Sequence, residues 1–332
     1  MQKFFFFICV FVSFLLSIQS YAAVITVDAN HPSAGMYKNL QDAHDAANSG
    51  DTILVYPFGG TYDAITVTKK LRIVGRGWNH LLTKNIATTI SGTIYFKEGS
   101  DGSALEGFRK DFKVYIYVDD ITIKRNKLHR IYIGGGLSGT VIIQNYFVST
   151  NIDTLISVSA FNEVFIANNI LIMTWYYTSG SSTSKAIYAN SDKITINIAH
   201  NYIFAKQHSL LLDESNYYVT NNIFNGGSIS PKSNLGFHNN ICNSDQLYTP
   251  HGNMINVDMN TVYSGSMYQL KENSPSIGAG TNGSDIGIYG GSTPFVLGGY
   301  PSIPRIVNIE ADHLGTKSHG LDVKIKATTV RE

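Results

Sequence analysis

The stretch from Arg109 to Arg130 holds the densest set of side chains able to do chemistry. Arg109, Lys110, Lys113, Lys124, Arg125, Lys127 and Arg130 stand against Asp111, Asp119 and Asp120, a local balance of +4. Such a stretch suits an anionic partner, and an acidic sugar chain is one. Within it, Val114 Tyr115 Ile116 Tyr117 Val118 alternates. A strand that turns the aliphatic side chains inward leaves both rings outside. Tyr95, Tyr132 and Tyr188 occupy similar positions between apolar neighbours. Exposed rings can stack on sugar faces, so Lys124, Lys127, Arg130, Tyr115, Tyr117 and Tyr132 are candidate carbohydrate-binding residues. Trp175, Tyr176 and Tyr177 form a second set in the run from Met173 to Ser184, which is too polar for a core strand and is expected to project as a loop.

Other reactive residue types offer less. Cys9 lies in the apolar amino terminus and Cys242 is then alone, following Asn239, Asn240 and Ile241, so it reads as a small buried apolar residue and no internal disulfide is expected. The ten His residues show no paired metal-ligand spacing. His200 and His238 sit beside a repeat and read as structural.

That repeat is the element that must position everything else. Ile123 Lys124 Arg125 Asn126, Ile143 Gln144 Asn145, Ile166 Ala167 Asn168 Asn169, Ala199 His200 Asn201, Thr220 Asn221 Asn222 and Phe237 His238 Asn239 Asn240 share one design. Asn126, Asn145, Asn169, Asn201, Asn222 and Asn240 are 19, 24, 32, 21 and 18 residues apart, a period that means a solenoid. Period-two strands precede them, as in Ile121 and Ile123 or Val164 and Ile166. One coil is therefore a few short strands with bends between. It cannot bury its apolar face alone, but stacking at ~4.8 Å gives a continuous interior. The marked Asn residues are expected at one corner in the left-handed backbone region, each bonding to its counterpart on the next coil as a structural ladder.

Composition agrees with an all-β chain of many turns: 28 Asn, 30 Gly and 20 Tyr in 332 residues, with only 15% charged. Lys3 is the one charged residue among the first 22, so processing leaves 24 basic against 24 acidic side chains, which disfavours a nucleic-acid binder. Lys3 followed by the uncharged run Phe4 to Ile18 and by Ser20 and Ala22 reads as a signal peptide over residues 1–22, cleaved after Ala22. The run is short for a membrane span, and no later stretch approaches the required length. The expected location is secreted: extracellular, periplasmic or on the outer surface. Residues 23–291 read as the solenoid. Leu40, Ala43, His44 and Ala47 form one face of a capping helix ending at Asn48 to Gly50, and 292–332 read as a proline-marked linker and a β-hairpin cap.

With the repeat in view, the chain resembles the right-handed parallel β-helix proteins of the pectate-lyase-like superfamily. The order Tyr37, Leu40 Gln41 Asp42 Ala43, Ala46 Ala47, Gly50 Asp51 Thr52 Ile53, Val55, Tyr62, Ile65, Leu71, Ile73, Gly75, Gly77 looks like the family's capping helix and first coil. Ser274 to Gly280 and Asp285 to Gly290 are similar to the last coil of secreted bacterial members. The resemblance implies an all-β, right-handed parallel β-helix with an amino-terminal capping helix and a carboxy-terminal β cap, and a polysaccharide or cell-surface glycan as partner. Uronate lyases of this fold use Ca²⁺ held by carboxylates and an unprotonated Lys or Arg as base. Asp119 and Asp120 align with Ser138 and Gly139, then with Asn162 and Glu163, so only Asp120 and Glu163 correspond as candidate metal ligands, two coils apart. The Asn-Thr-Asp, Gly-His-Gly and Arg-Ile-Lys motifs of polygalacturonases are absent. Thr249 Pro250 His251 is similar to the Asp-Pro-His of alginate epimerases, with Thr249 in place of the Asp. The expectation is a noncatalytic glycan-binding or surface protein without cofactor; the alternative is a Ca²⁺-dependent lyase of acidic polysaccharide.

Overall fold

The computed structural model describes residues 22–31, 36–78, 87–150, 154–159, 163–174, 183–191, 194–213, 216–230, 236–265, 268–312 and 320–329. Residues 1–21 and Trp175, Tyr176 and Tyr177 lie outside them. The chain is a right-handed parallel β-helix: among the described residues, sheets of eleven, eight and six strands form its three flanks. A typical coil runs through Thr122–Lys124 in the first sheet, Lys127–Leu128 in the third and Arg130–Ile133 in the second, then starts again at Thr140–Ile143. Neighbouring coils stack in parallel register, as in Ile123↔Ile142 and Ile131↔Ile156. Alternation dictates this packing. Ile123, Ile142, Ile166 and Ile198 point inward and are fully buried, as are Val114, Ile131, Ile156 and Ile187 on the second sheet.

The corner between the first and third sheets is a two-residue bend, and here the backbone departs from expectation. The residue before each marked Asn takes the left-handed conformation: Arg125, Gln144, Asn168, His200, Asn221 and Asn239 all have φ between 52° and 58°. The marked Asn instead points its amide inward. Asn169 Nδ2 donates to Ile142 O at 2.8 Å, Ala167 O at 2.9 Å and Asn201 Oδ1 at 3.0 Å, while its Oδ1 accepts from the Asn145 amide N at 2.8 Å and Asn145 Nδ2 at 3.1 Å. The same row of bonds runs from Asn126 to Asn240 and ends on Asn253, only 13 residues beyond. Inward amides satisfy the buried carbonyls of the bend, and this offsets the cost of a left-handed non-glycine residue in each coil.

At the amino-terminal end, helix Leu40–Ala46 is capped by Asn39, whose side chain accepts from the Asp42 amide N. It stops at Ala46, short of Asn48, because Ala47 is already extended (ψ 148°). Leu40, Ala43 and His44 are buried beneath it, and the His44 ring nitrogen Nε2 accepts from the Thr68 amide N at 3.2 Å.

The carboxy-terminal region differs most from the sequence reading. Ser274 to Gly290 do not stack as a last coil. They start a segment that runs back along the corner from Ala279 to Ser302, so the boundary read at 291/292 falls inside it. The left-handed residues, whose side chains point outward, grip it. Asn239 Nδ2 donates to Ala279 O, Asn221 Oδ1 accepts from the Thr281 amide N, Asn168 Nδ2 donates to Ile288 O and Gly290 O, and Gln144 Nε2 donates to Pro294 O. Gly290 and Gly291 cross directly over the His200 ring, where a Cβ would come within 2.7 and 2.9 Å of it. The Gly-Gly sequence thus serves close passage over a polar corner.

Under this segment lies a second apolar cluster, outside the helix. Ile170, Tyr202, Ile223 and Ile241 on the outer face of the third sheet pack with Trp78, Val262, Ile286, Ile288 and Phe295. A sheet buried on both faces needs near-continuous apolar strands, which is why Ile170–Met173 reads ILIM with no alternation. Tyrosines are trapped here: the Tyr202 and Tyr268 rings are 4.2 Å apart, and Tyr263 meets Tyr202 edge-on at 5.2 Å. Burial pushes the phenols of Tyr263 and Tyr268 up, and that of Tyr289 up to about 12 from 10.0. The native state therefore holds these protons where the unfolded chain has released them. Stability is full below pH 10 and falls as pH rises from 10 towards 12. A spectrophotometric titration should show a late phenolate fraction that ionises together with loss of native circular dichroism. A smooth titration of every Tyr at its ordinary pKa, with the fold intact, would contradict the burial.

Beyond Ser302, Arg305–Ala311 pairs antiparallel with Val323–Thr328 as a hairpin.

Candidate functional site: a tyrosine strip on the second sheet

The outer face of the second sheet is set by the same alternation that fills the core. Strands Thr93–Phe96, Lys113–Ile116 and Arg130–Ile133 turn Ile94 and Phe96, Val114 and Ile116, and Ile131 and Ile133 inward, all buried. Their outward residues are Thr93 and Tyr95, Lys113 and Tyr115, and Arg130 and Tyr132. Register places Tyr95 beside Tyr115 and Tyr115 beside Tyr132, with Lys113 beside Arg130 in the next column. Parallel in-register stacking thus turns one motif per coil into two rows along the helix axis, one of rings and one of cations.

The rings touch in series. Tyr95 and Tyr115 centroids are 5.4 Å apart at 87°, and Tyr115 and Tyr132 are 5.4 Å apart at 54°. Tyr117, 44% exposed, follows strand Lys113–Ile116, and its ring lies 6.2 Å from that of Tyr132. The opposing position on the next coil is Gly134, where a Cβ would stand 3.0 Å from the Tyr117 ring. A side chain there would push the ring away. Partial burial, with the neighbouring phenols of Tyr132, Tyr115 and Tyr95 adding to it, raises the Tyr117 pKa, so this hydroxyl stays a neutral donor throughout the physiological range. Tyr132 Oη accepts from Ser159 Oγ at 3.0 Å. The row skips a coil at Ser157 and resumes at Tyr188. Cations sit over its ends: Lys97 Nζ is 5.4 Å from the Tyr95 centroid and Lys185 Nζ 5.3 Å from that of Tyr188.

The basic residues grouped in sequence do not form one patch. Arg130 belongs to the tyrosine strip. Lys124 is on the first sheet, with Nζ 4.0 Å from Glu106 Oε2 and 3.3 Å from Ser302 Oγ. Lys127 is on the third sheet, its Nζ 5.2 Å over the Tyr146 ring; burial first, and then the Arg109 charge, lower its pKa. Arg125 is fully buried, paired with Glu106 at 3.0 Å and bonded through Nε to Gln144 Oε1 at 2.7 Å. A coil of about twenty residues visits three flanks, so a dense stretch of sequence is spread around the circumference. The cations at the strip's ends, Lys97 and Lys185, come from outside the Arg109 to Arg130 stretch and carry no sequence signal except their nearness to an outward Tyr.

Asp120 and Glu163 occupy the same column with Gly139 between them, since Thr122 pairs with Val141 and Thr140 with Val164. Two coils are ~10 Å of backbone, whereas ligand oxygens sit 2.3–2.6 Å from Ca²⁺, and Gly139 brings no side chain to fill the gap. The residue types suit a hard cation, but their placement does not make a set. Asp120 is a left-handed turn residue, φ 57°, and Asp119 Oδ1 accepts from the Ser138 amide N at 2.7 Å. Among the described residues no three His, Cys, Asp or Glu side chains gather to hold a metal ion. His251 stacks on His238, with centroids 4.5 Å apart and planes at 6°, and Cys242 is buried with Sγ 3.1 Å from Ser244 Oγ.

No protein-family model matches the chain, and no curated protein matches it. Among solved structures it is similar to the crystal structure of pectate lyase Pel9A, at 14% identity and a TM-score of 0.40, over 81% of this chain and 96% of that one. What the strands and their register define is the architecture: a right-handed parallel β-helix closed along one corner by its own carboxy-terminal segment.

Proposed function

We propose that the chain is a secreted, noncatalytic protein that binds an acidic polysaccharide along the tyrosine strip of the second sheet. The observation that carries this reading is the row Tyr95, Tyr115, Tyr132, one ring per coil, beside Lys113 and Arg130 and between Lys97 and Lys185. A linear polymer of cyclic sugars presents its C–H faces and its carboxylates periodically, and the strip offers rings and cations with a period of its own, ~4.8 Å. The strip's outward positions on its three central strands include no carboxylate to repel such a chain. Binding in place of turnover is favoured by the dispersal of Lys124, Lys127 and Arg130 over three flanks, which keeps a base and the pair Asp120 and Glu163 from converging. The location is proposed on the amino-terminal sequence; among the described residues no helix is long and apolar enough to cross a membrane.

Native affinity gels containing polygalacturonate or alginate test it. Tyr115→Ala and Tyr132→Ala should each weaken retention ~3- to 10-fold, the effect of losing one stacked ring. Lys113→Ala and Arg130→Ala should flatten the salt dependence, because raising salt from 0.15 M to 1 M shortens screening from ~8 Å to ~3 Å. Retention indifferent to all four changes would remove the strip from the reading. Sustained Ca²⁺-dependent release of unsaturated uronate, lost in Asp120→Ala with the fold intact, would replace binding by lyase activity.

A further inference from the structure

We propose that the first sheet carries a second glycan-binding strip, built from Phe165, Asn197 and Tyr218 and suited to a neutral, extended β-linked glucan. Register puts Val141, Phe165, Asn197 and Tyr218 in one outward column on four successive coils. Phe165 is 36% and Tyr218 60% exposed. Both are therefore open to solvent on a flank whose inward residues, Val164, Ile166, Ile196, Ile198 and Val219, are buried. Single exposed aromatics are ordinary on protein surfaces. These two stand in one column, separated by an amide that has no side-chain hydrogen bond among the described residues.

Spacing and charge select the ligand. Phe165 and Tyr218 are two coils apart, ~10 Å along the axis. That is close to the distance after which an extended β-linked chain presents the same sugar face again, so one chain lying along the axis meets both rings. Asn197 lies midway, with a free donor and a free acceptor for the hydroxyls of the intervening sugar. The neighbouring outward column is Glu163, Thr195, Asn216, and on the other side are Ala167, Ala199 and Thr220. Among the described residues these columns hold no cation, and their one charge, Glu163, is negative. The strip would repel the polyanion that the second sheet suits, and it holds nothing to favour one. The two flanks differ in charge in the way two ligands differ.

Hydroxyethyl cellulose in a native affinity gel and cellohexaose in calorimetry are the probes. The wild-type chain should be retarded by hydroxyethyl cellulose, with retention unchanged by salt. Phe165→Ala and Tyr218→Ala should each weaken it ~3- to 10-fold. Asn197→Ala, which removes the amide and little apolar area, should weaken it by a smaller factor. Tyr248→Ala, an exposed ring outside the column, should leave it as it was. Melting temperatures measured alongside separate lost binding from lost fold. The proposal is overturned if neither probe binds, or if retention is the same in all four variants. It is also overturned if the Phe165 and Tyr218 substitutions act by changing the oligomeric state in light scattering, since the column would then be a contact between copies.

Discussion

Asn169→Leu is expected to lower the unfolding midpoint by roughly 10 °C. The side chain is fully buried and takes part in five hydrogen bonds, to Ile142 O, Ala167 O and Asn201 Oδ1 as donor and from two Asn145 nitrogens as acceptor. Leu is similar in size and fills the space, so the cost is polar. Carbonyls and N–H groups on three coils lose their partner where no water can replace it, at ~1–3 kcal/mol for each group left unpaired. Relaxation recovers part of this, leaving about 3–5 kcal/mol, and a domain of this size loses ~2–4 °C per kcal/mol. Asn169→Asp should do no better, because it sets a carboxylate against two carbonyls and an amide oxygen that now accept from Nδ2. Thermal melts followed by circular dichroism decide it. A midpoint within about 2 °C of wild type would mean that the row contributes little and that the apolar interior alone holds the coils in register.

The second large effect is expected at Glu106, the carboxylate on which the returning segment is fastened. It is fully buried, with Oε1 3.0 Å from Arg125 Nη1 and Oε2 3.0 Å from Arg72 Nη2. Its Oε1 also accepts from the Ser302 amide N at 2.9 Å. Glu106→Gln keeps an acceptor for Ser302 but removes the charge, leaving Arg125 a buried cation without its counterion. Breaking a buried pair from one side costs ~3–5 kcal/mol, much more than the intact pair contributes. The damage should be local first. Residues 292–302 are held to the body by Gln144 and Asn168, by the Trp78 amide N, which donates to Gly298 O at 2.9 Å, by Phe295 packed in the cluster with Trp78, and by this Glu106 group, so proteolysis within them should speed up before the helix itself melts. If protection of 292–302 and the melting temperature both stay at wild-type values, Glu106 is not the fastening point.

Some of this was legible in the residues. Alternation in Val114 to Val118 and in the strands before each marked Asn dictates which side chains face the interior, because a strand has a period of two whatever surrounds it. The 18- to 32-residue spacing of the Asn positions imposes a coil length, and hence a solenoid. Other features carried a signal that is hard to weigh in isolation. Strands such as Ile170–Met173 and Tyr202–Ala205 are apolar throughout, which marks burial on both faces and so an outer cover for that sheet, without naming what covers it. The residue preceding each Asn looks unremarkable as Arg125, Gln144 or His200, yet it takes the left-handed turn while the Asn turns inward.

The repeat, the parallel sheets and the inward or outward sense of each strand residue follow from the chain alone, because they rest on local periodicity and on the need of every coil for a neighbour. Which side chains share a flank depends instead on how the coils stack in three dimensions. Lys124, Lys127 and Arg130 are adjacent in the chain and end on three different sheets, whereas Lys97, Lys113, Arg130 and Lys185 come from four coils to line one. The path of residues 279–302 was likewise decided in three dimensions, through hydrogen bonds from side chains to backbone groups some 40 to 200 residues away in sequence, Asn239 with the Ala279 carbonyl at one end and Glu106 with the Ser302 amide at the other. A solenoid converts spacing along the chain into position around and along an axis. A cluster in the sequence is dispersed around the coil, and a site is assembled from residues one full coil apart.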